Sequence, residues 1–318
     1  MTIVVAARHV AKDYTVGKFP ERRTFSAVAD VSLSIGSGET LGIVGESGCG
    51  KSTLSRLVLG LEAPTRGEIQ IGSETVARDG QLIKSRPRGL VQAVMQDPGS
   101  SLNPKLRIST IVTEPLKVTE PGLGRAELLE RAGAALDLVG LDRSSLSKFP
   151  HQFSGGQKQR VAIARALVSN PRLIVLDEAI SSLDVSVAAQ VMNLLKGLQD
   201  RLGISYLFIS HQLAAVMYMS HHVSVMYMGR IVETGTAAEI GRRPRHPYTH
   251  ALLGAALPAD IVQARAAKAV GGEVPDPLAP PSGCTFHSRC PRAIERCATV
   301  VPAWIARSPT HGLLCDVD

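Results

Sequence analysis

The sequence has no stretch that would carry it into or across a membrane. Residues 1–14, MTIVVAARHVAKDY, lack a basic start followed by a long apolar segment, and no uninterrupted run approaches the ~18 apolar residues of a spanning helix. The expectation is a chain that is neither exported nor embedded. No Lys/Arg block dominates either. The 35 Lys+Arg exceed the 28 Asp+Glu and leave a net charge of +7, but nucleic acid, an anionic membrane surface and an acidic subunit would each suit that excess, so it selects no partner. Cysteine is scarce, with five in 318 residues and four of them after residue 280. In a cytoplasmic setting thiols stay reduced, so these do not read as a disulfide framework, and metal binding becomes the leading idea. What is present, 44% apolar and 20% charged residues, predicts one large folded domain with an appendage.

Residues 39–53 read ETLGIVGESGCGKST. A short apolar strand runs into Gly45-x-x-x-x-Gly50-Lys51-Ser52 and then into the helical stretch TLSRLVLG, the order a phosphate-binding loop requires. The backbone N–H groups of Gly45, Ser47, Gly48, Cys49, Gly50, Ser52 and Thr53 can turn toward a phosphate, and the helix start adds a positive dipole end. Lys51 can reach the β- and γ-oxygens, and Ser52 can hold Mg²⁺. Cys49 is a small spacer here. A second strand, LIVLDE, ends in Asp177 and Glu178. Asp177 is suited to Mg²⁺, directly or through water, and Glu178 to polarising an attacking water. Read alone, the same pair could cap the helix that follows.

A third stretch, FSGGQKQR at residues 153–160, opens the helix VAIARALVS with another set of Ser and Gly N–H groups. That is a second anion-binding helix terminus, which a single phosphate site does not need. With this stretch the sequence resembles the ATP-binding subunits of ABC transporters, over nearly its whole length. Further matches are Gln96 in VMQDP, Ser182-Leu183-Asp184 after the acidic pair, and His211 in FISHQL. The resemblance implies that Ser154, Gly155, Gly156 and Gln157 close over ATP held by an opposite subunit. It also implies that Gln96 senses Mg²⁺ and the membrane partner, that Asp184 links the two sites, and that His211 contacts the γ-phosphate. The Mg²⁺ set is then Ser52, Gln96 and Asp177. Gln212 departs from the Asp usual after the histidine, and Phe153 replaces the commoner Leu; neither change removes a phosphate-handling group. An aromatic should stack on adenine, and Tyr14 is preferred to Phe25, although the insertion VGKFPERRTF blurs the spacing.

The implied fold is α/β: a P-loop NTPase core of the ABC ATPase kind, with a RecA-like subdomain and an antiparallel β subdomain. A helical subdomain at about residues 97–160 and a small Cys-rich C-terminal extension complete it. The nucleotide-binding domain is assigned to residues 1–232 and the extension to 233–318. Periodic apolar residues in RAELLERAGAALDLVGL fit the helical part, which in this family receives a helix of the membrane subunit. His246-Pro247-Tyr248-Thr249 matches a hallmark of the oligopeptide/dipeptide importers, although locally it reads as a Pro-initiated helix start. LDEAISSLDVSV, FSGGQKQR and YLFISHQL resemble the F-type subunit of that branch.

Cys284, Cys290, Cys297 and Cys315 form C-x5-C-x6-C-x17-C. Zinc sites favour tight C-x2-C knuckles, absent here, whereas four looser thiolates suit an iron–sulfur cluster; zinc and unligated thiols remain as alternatives. The resemblance implies a [4Fe-4S] centre. A Pro-rich tail that is short of aliphatics would gain its cross-links from it, and His287, between ligands, is expected to face solvent.

The function implied is an ATPase that energises import of di- or oligopeptides, or of nickel or another small solute. Its implied cofactors are ATP, Mg²⁺ and the cluster. Its implied partners are a D-type ATPase, two permease subunits and, indirectly, an external binding protein, which puts it on the cytoplasmic face of the membrane. A soluble ABC ATPase acting on nucleic acid or ribosomes is the competing class. Those usually carry two nucleotide domains or a long coiled coil, and this chain has one phosphate loop and room for neither, so no nucleic-acid partner is expected.

Overall fold

Three runs, TLGIV, LIVLD and SYLFI, bury nearly every side chain on both faces, as strands do inside a covered parallel sheet. A computed structural model describes residues 2–18, 21–83, 89–96, 98–256 and 271–317. Phe19 and Pro20 of the insertion before Phe25, and Asp97 after Gln96, lie outside the described residues.

The chain begins with β1 (Ile3–Val16), β2 (Arg23–Gly36), β3 (Thr40–Val44), α1 (Lys51–Val58), β4 (Arg66–Ile71), β5 (Glu74–Arg78), β6 (Gln81–Leu82) and β7 (Val91–Val94). Four helices follow, α2 (Pro98–Ser101), α3 (Ile108–Thr119), α4 (Arg125–Leu138) and α5 (Gly155–Leu167). The chain then returns to alternation with β8 (Leu173–Asp177), α6 (Val185–Leu202), β9 (Ser205–Ile209), α7 (Leu213–Met219), β10 (His222–Tyr227) and β11 (Arg230–Thr236). It closes with α8 (Ala237–Arg242), α9 (Pro247–Ala256), β12 (Trp304–Ala306) and β13 (Gly312–Leu314).

Two sheets result. One runs β2-β1-β4-β5-β6 and is antiparallel; the other runs β12-β13-β11-β10-β3-β9-β8-β7, parallel from β10 through β7. β1 and β2, which read locally like the core strands, thus belong to the antiparallel sheet. Side chains alternate across a strand, and the central strands use both faces. Ile174, Leu176, Tyr206 and Phe208 enter the core shared with α3 to α7. Leu173, Val175, Leu207 and Ile209 enter the core shared with α1 and the antiparallel sheet. With both faces filled, the ends of β3, β8 and β9 are fixed, and the chemistry-bearing loops leave from those ends.

The extension is stitched into this frame. β13 pairs with β11 and so lengthens the central sheet, while Phe286, 1% exposed, packs into the same core as Tyr227 and Tyr248. Glu233, fully buried, accepts hydrogen bonds from the Arg245 and His246 N–H groups and contacts His311 Nε2 at 2.7 Å. The tail therefore shares core with the nucleotide-binding part through Tyr227 and is tied by Glu233 to β11, the strand at the boundary. That removes the premise that only a metal could cross-link it.

Candidate functional site

The phosphate loop is held by close packing that only glycine permits. Gly45 (φ +156°) and Gly50 (φ +112°) have backbone that side-chain-bearing residues rarely adopt, and a Cβ would lie 2.1 Å from the Met226 carbonyl oxygen or 2.2 Å from that of Ala27. Gly50 caps α1, so the loop's amides and the helix dipole face the same space. Lys51, 8% exposed, donates from Nζ to the carbonyl oxygens of Gly45 at 2.8 Å and Glu46 at 2.9 Å. Burial pushes the Cys49 thiol up, against the pull of Lys51, which fits a spacer and not a nucleophile.

The two carboxylates at the end of β8 sit in contrasting settings. Burial pushes the Asp177 carboxyl up, with nearby Ser55 and Lys51 opposing the rise and Glu178 adding to it, and its Oδ1 is buried without a hydrogen-bond partner of good geometry. An orphaned carboxylate oxygen beside Lys51 is what a divalent-cation ligand leaves when described without its ion. Glu178 adopts φ +55°, uncommon for a non-glycine residue and found most often at functional sites. Its Oε2 accepts from Ser181 Oγ and contacts His211 Nδ1 at 2.7 Å. These bonds fix the carboxylate at the mouth of the cleft, and His211 itself stays 60% exposed.

Lys51, Glu178 and His211 line one cleft of about 970 Å³ together with Gln96, Ser47, Ser52, Tyr14 and Phe25, whereas Asp177 is not part of its lining. Tyr14 and Phe25 are register partners on β1 and β2, with ring centroids 5.9 Å apart, so both expected stacking candidates face it. The Tyr14 hydroxyl donates to Glu62 at 2.6 Å and holds that carboxyl below its ordinary range. The cleft is also lined by Val274, Pro277, Pro280 and Pro281 of the extension, which nothing local in the sequence announces.

The other expected residues stand elsewhere. Ser154 caps α5 in a reciprocal box, accepting from the Gln157 N–H while Gln157 Oε1 accepts from its own. Ser154, Gly155, Gly156, Gln157 and Asp184 line a separate cavity of about 280 Å³. Ser154, Gly155, Gln157 and Asp184 are exposed, and a Cβ on Gly156 would lie 2.6 Å from Val187 Cγ1. One chain thus presents two glycine-rich helix starts in two different places.

The four late cysteines line one small cavity with His246 and His287. All are free thiols. Burial, augmented by the other three thiols, raises Cys284, and burial also raises Cys290 and Cys315. Among the described residues no three His, Cys, Asp or Glu side chains approach closely enough to hold one metal ion. The thiols converge, therefore, but no ready-made single-ion site is present. His287 is half-buried, not solvent-facing as expected, because its Nδ1 lies 2.8 Å from the Cys284 carbonyl oxygen. Burial, aided by Arg292, lowers the pKa of His246 to about 4.

Sequence reasoning missed three contacts at the phosphate loop and its acid: Ser181 on Glu178, and Tyr248 and Arg289, each bonded to Glu46. Ser181 follows Glu178 by three residues in a turn and was within reach of local reading. The others are far apart in sequence and carried no local signal.

A family model described as ABC transporter matches residues 28–181, and one described as the C-terminal region of oligopeptide/dipeptide transporters matches residues 232–297. The chain is 43% identical over 299 residues to the oligopeptide transport ATP-binding protein OppF of Haemophilus influenzae, covering 93% of this chain and 90% of that one. Among solved structures, it resembles the ATP-binding cassette MJ0796, a dimer in a post-hydrolysis state bound to ADP and Pi. That likeness has a TM-score of 0.63 and 29% identity, covering 73% of this chain and 98% of the other. It also resembles cbiO1 from Clostridium perfringens, part of the ABC transporter complex cbiONQ, with a TM-score of 0.64 and 27% identity over 76% and 91% of the two chains. With these family models and a relative matched over 93% of this chain, the chain belongs to the ATP-hydrolysing subunits of ABC transporters, in the branch that carries the oligopeptide/dipeptide C-terminal region.

Proposed function

We propose that this ATPase drives import of di- or oligopeptides, working as one half of a head-to-tail pair on the cytoplasmic face of the membrane. One observation carries the pairing: the signature residues 154–157 line a different cavity from the phosphate loop of the same chain. Each can complete an ATP site only with a second subunit, which this reading takes to be a related D-type ATPase. The peptide cargo rests on the similarity to an oligopeptide transport protein and on the matching C-terminal region. Two permease subunits receive the stroke, and an external binding protein delivers the solute.

Within the site, the loop amides of residues 45–53 and Lys51 bind the triphosphate, and Tyr14 stacks on the base. Ser52, Gln96 and Asp177 would hold Mg²⁺, which neutralises charge on the phosphate oxygens when bound. Glu178 accepts the proton of the attacking water. His211, through its contact with Glu178, orients that carboxylate and reaches toward the γ-phosphate. Ser154 and the Gly155 and Gly156 amides serve the partner's ATP, with Asp184 beside them at the shared seam.

The four cysteines are proposed to hold a [4Fe-4S] cluster. Four free thiols face one cavity, a soft donor set of the kind that iron–sulfur clusters use. Bound there, the cluster would tie four points of the tail together.

Co-purification decides the class. Tagged chain solubilised from membranes should bring down two polytopic membrane proteins and a second ATPase, and the reconstituted complex should take up peptide on ATP addition. Recovery with RNA, or uptake indifferent to this subunit, would sink the reading.

A further inference from the structure

Glu46 follows Gly45 in the phosphate loop, and each of its polar groups is engaged. Its carbonyl accepts from Lys51 Nζ at 2.9 Å and from the Cys49 N–H at 3.3 Å, bonds internal to the loop. The remaining bonds come from the extension. The Glu46 N–H donates to the Tyr248 hydroxyl at 2.9 Å. Its carboxylate takes a two-pronged pair from Arg289, Nη1 to Oε2 at 2.8 Å and Nη2 to Oε1 at 2.9 Å. Paired, planar contacts of this kind fix direction as well as charge.

The two extension residues are firmly held. Tyr248 is fully buried, its ring 4.7 Å from that of Tyr227 and 5.4 Å from that of Phe286. The Arg289 side chain is 4% exposed. It lies 5.7 Å from the Tyr227 ring and 5.9 Å from the Phe286 ring, and donates to the Tyr227 hydroxyl at 3.3 Å and to the Gly271 carbonyl at 3.2 Å. Glu46, by contrast, belongs to a loop that must present its amides to a polyanion. A carboxylate left loose there would repel the triphosphate, and a rotated Glu46 peptide would move the carbonyl that positions Lys51.

We propose that Arg289 and Tyr248 are positioning residues of the phosphate loop, so that the C-terminal extension sets the affinity of this subunit for ATP. Neither touches nucleotide; both act through Glu46. The proposal rests on reading residues 45–52 as the ATP phosphate loop, and its effect falls on binding and not on the chemical step, because Glu178 and His211 are held by other partners.

The test uses the full chain with Mg²⁺ for melting and for binding of a trinitrophenyl-ATP probe, and the complex with its partner ATPase for phosphate release over a range of ATP. Arg289→Ala should raise the probe Kd and the KM for ATP about tenfold while kcat at saturating ATP stays within about twofold. Arg289→Lys should recover part of the loss. Tyr248→Phe keeps the packed ring and removes one acceptor, so it tests the same point in a folded chain, with a shift of about fivefold expected. Glu46→Gln combined with Arg289→Ala should be no worse than Arg289→Ala alone, since both remove one interaction. Unchanged binding in Arg289→Ala or Tyr248→Phe overturns the proposal. So does a fall in kcat with KM intact, or additive losses in the double variant that follow melting. Lys51→Ala separates the underlying reading: if it binds the probe like the parent, the phosphate-loop assignment fails, whereas if it alone loses binding, only the clamp fails.

Discussion

The phosphate side and the signature side of this subunit are both helix N-termini rich in glycine, yet they are finished to different degrees. On the phosphate side Lys51 is bonded to two loop carbonyls, Glu178 to Ser181 and His211, and Glu46 to Arg289. On the signature side the side chains of Ser154 and Gln157 are, among the described residues, bonded only to each other's backbone N–H groups, and nearby Val185 is 88% exposed. Preorganised polar groups raise rates because nothing must be reordered at the moment of reaction. The first side is therefore preorganised within one chain, and on the proposed pairing the second would act only when another subunit presents a triphosphate to it.

Glu178→Gln gives the largest expected break in that contrast. The amide keeps the shape but loses the base, so phosphate release should fall by about 10² to 10⁴, with ATP still bound and closed pairs accumulating in size-exclusion runs. Normal turnover in this variant would remove Glu178 from the chemistry. Next comes Gly155→Asp, on the unfinished side. A Cβ at Gly155 meets nothing closer than Leu183 Cδ2 at 3.9 Å, and an Asp in the first turn favours the helix dipole. Melting should hold or rise slightly, and probe binding to the chain's own loop should persist. Turnover by the pair should drop roughly tenfold or more, because the new carboxylate meets the partner's triphosphate. Equal loss of the chain's own ATP binding would mean that the two cavities are not independent.

Both variants sit in stretches that the sequence made legible, and the reason is physical. Residues 45–52, Asp177 with Glu178, residues 154–157 and His211 are each contiguous and stand at a strand end or helix start, where local pattern and function coincide. The Glu46 clamp was hidden because its members are 202 and 243 residues apart in the chain. The motif at residues 246–249 shows how much can be missed: Pro247 does start α9, as local reading says, and Tyr248 still reaches the phosphate loop. β12 and β13 were unreadable because three-residue strands have little pattern of their own and exist through pairing, β13 with β11 and β12 with β13. The cysteines were visible as a set, but the His287 contact with the Cys284 carbonyl was not.

The extension offers a smaller effect that sharpens the comparison. Cys290 adjoins Arg289, so disturbing the thiol cavity should loosen the clamp. Cys290→Ser is expected to lose any visible absorbance of the proposed cluster and to lower melting by roughly 3 °C, about what 2 kcal/mol gives in a chain of this length. Its ATP affinity should weaken less than that of Arg289→Ala. Loss of colour with unchanged melting would show that the core contributed by Phe286 and the Glu233 bonds holds the tail unaided.

The smallest expected effect concerns the base. Tyr14 and Phe25 both face the cleft, so geometry alone leaves the choice between them to chemistry. The Tyr14 hydroxyl is anchored on Glu62, and Lys12 Nζ lies 5.3 Å from the centre of its ring. Anchoring lowers the entropy lost when a ring is fixed against a ligand, whereas no comparable polar anchor is available to Phe25. Base stacking is worth about 1–3 kcal/mol. Tyr14→Ala should accordingly raise the probe Kd about fivefold or more, Tyr14→Phe about twofold through loss of the anchor, and Phe25→Ala less than either. The reverse order would place the base on Phe25, moving the adenine toward the β2 side of the cleft while leaving the phosphate contacts where they are.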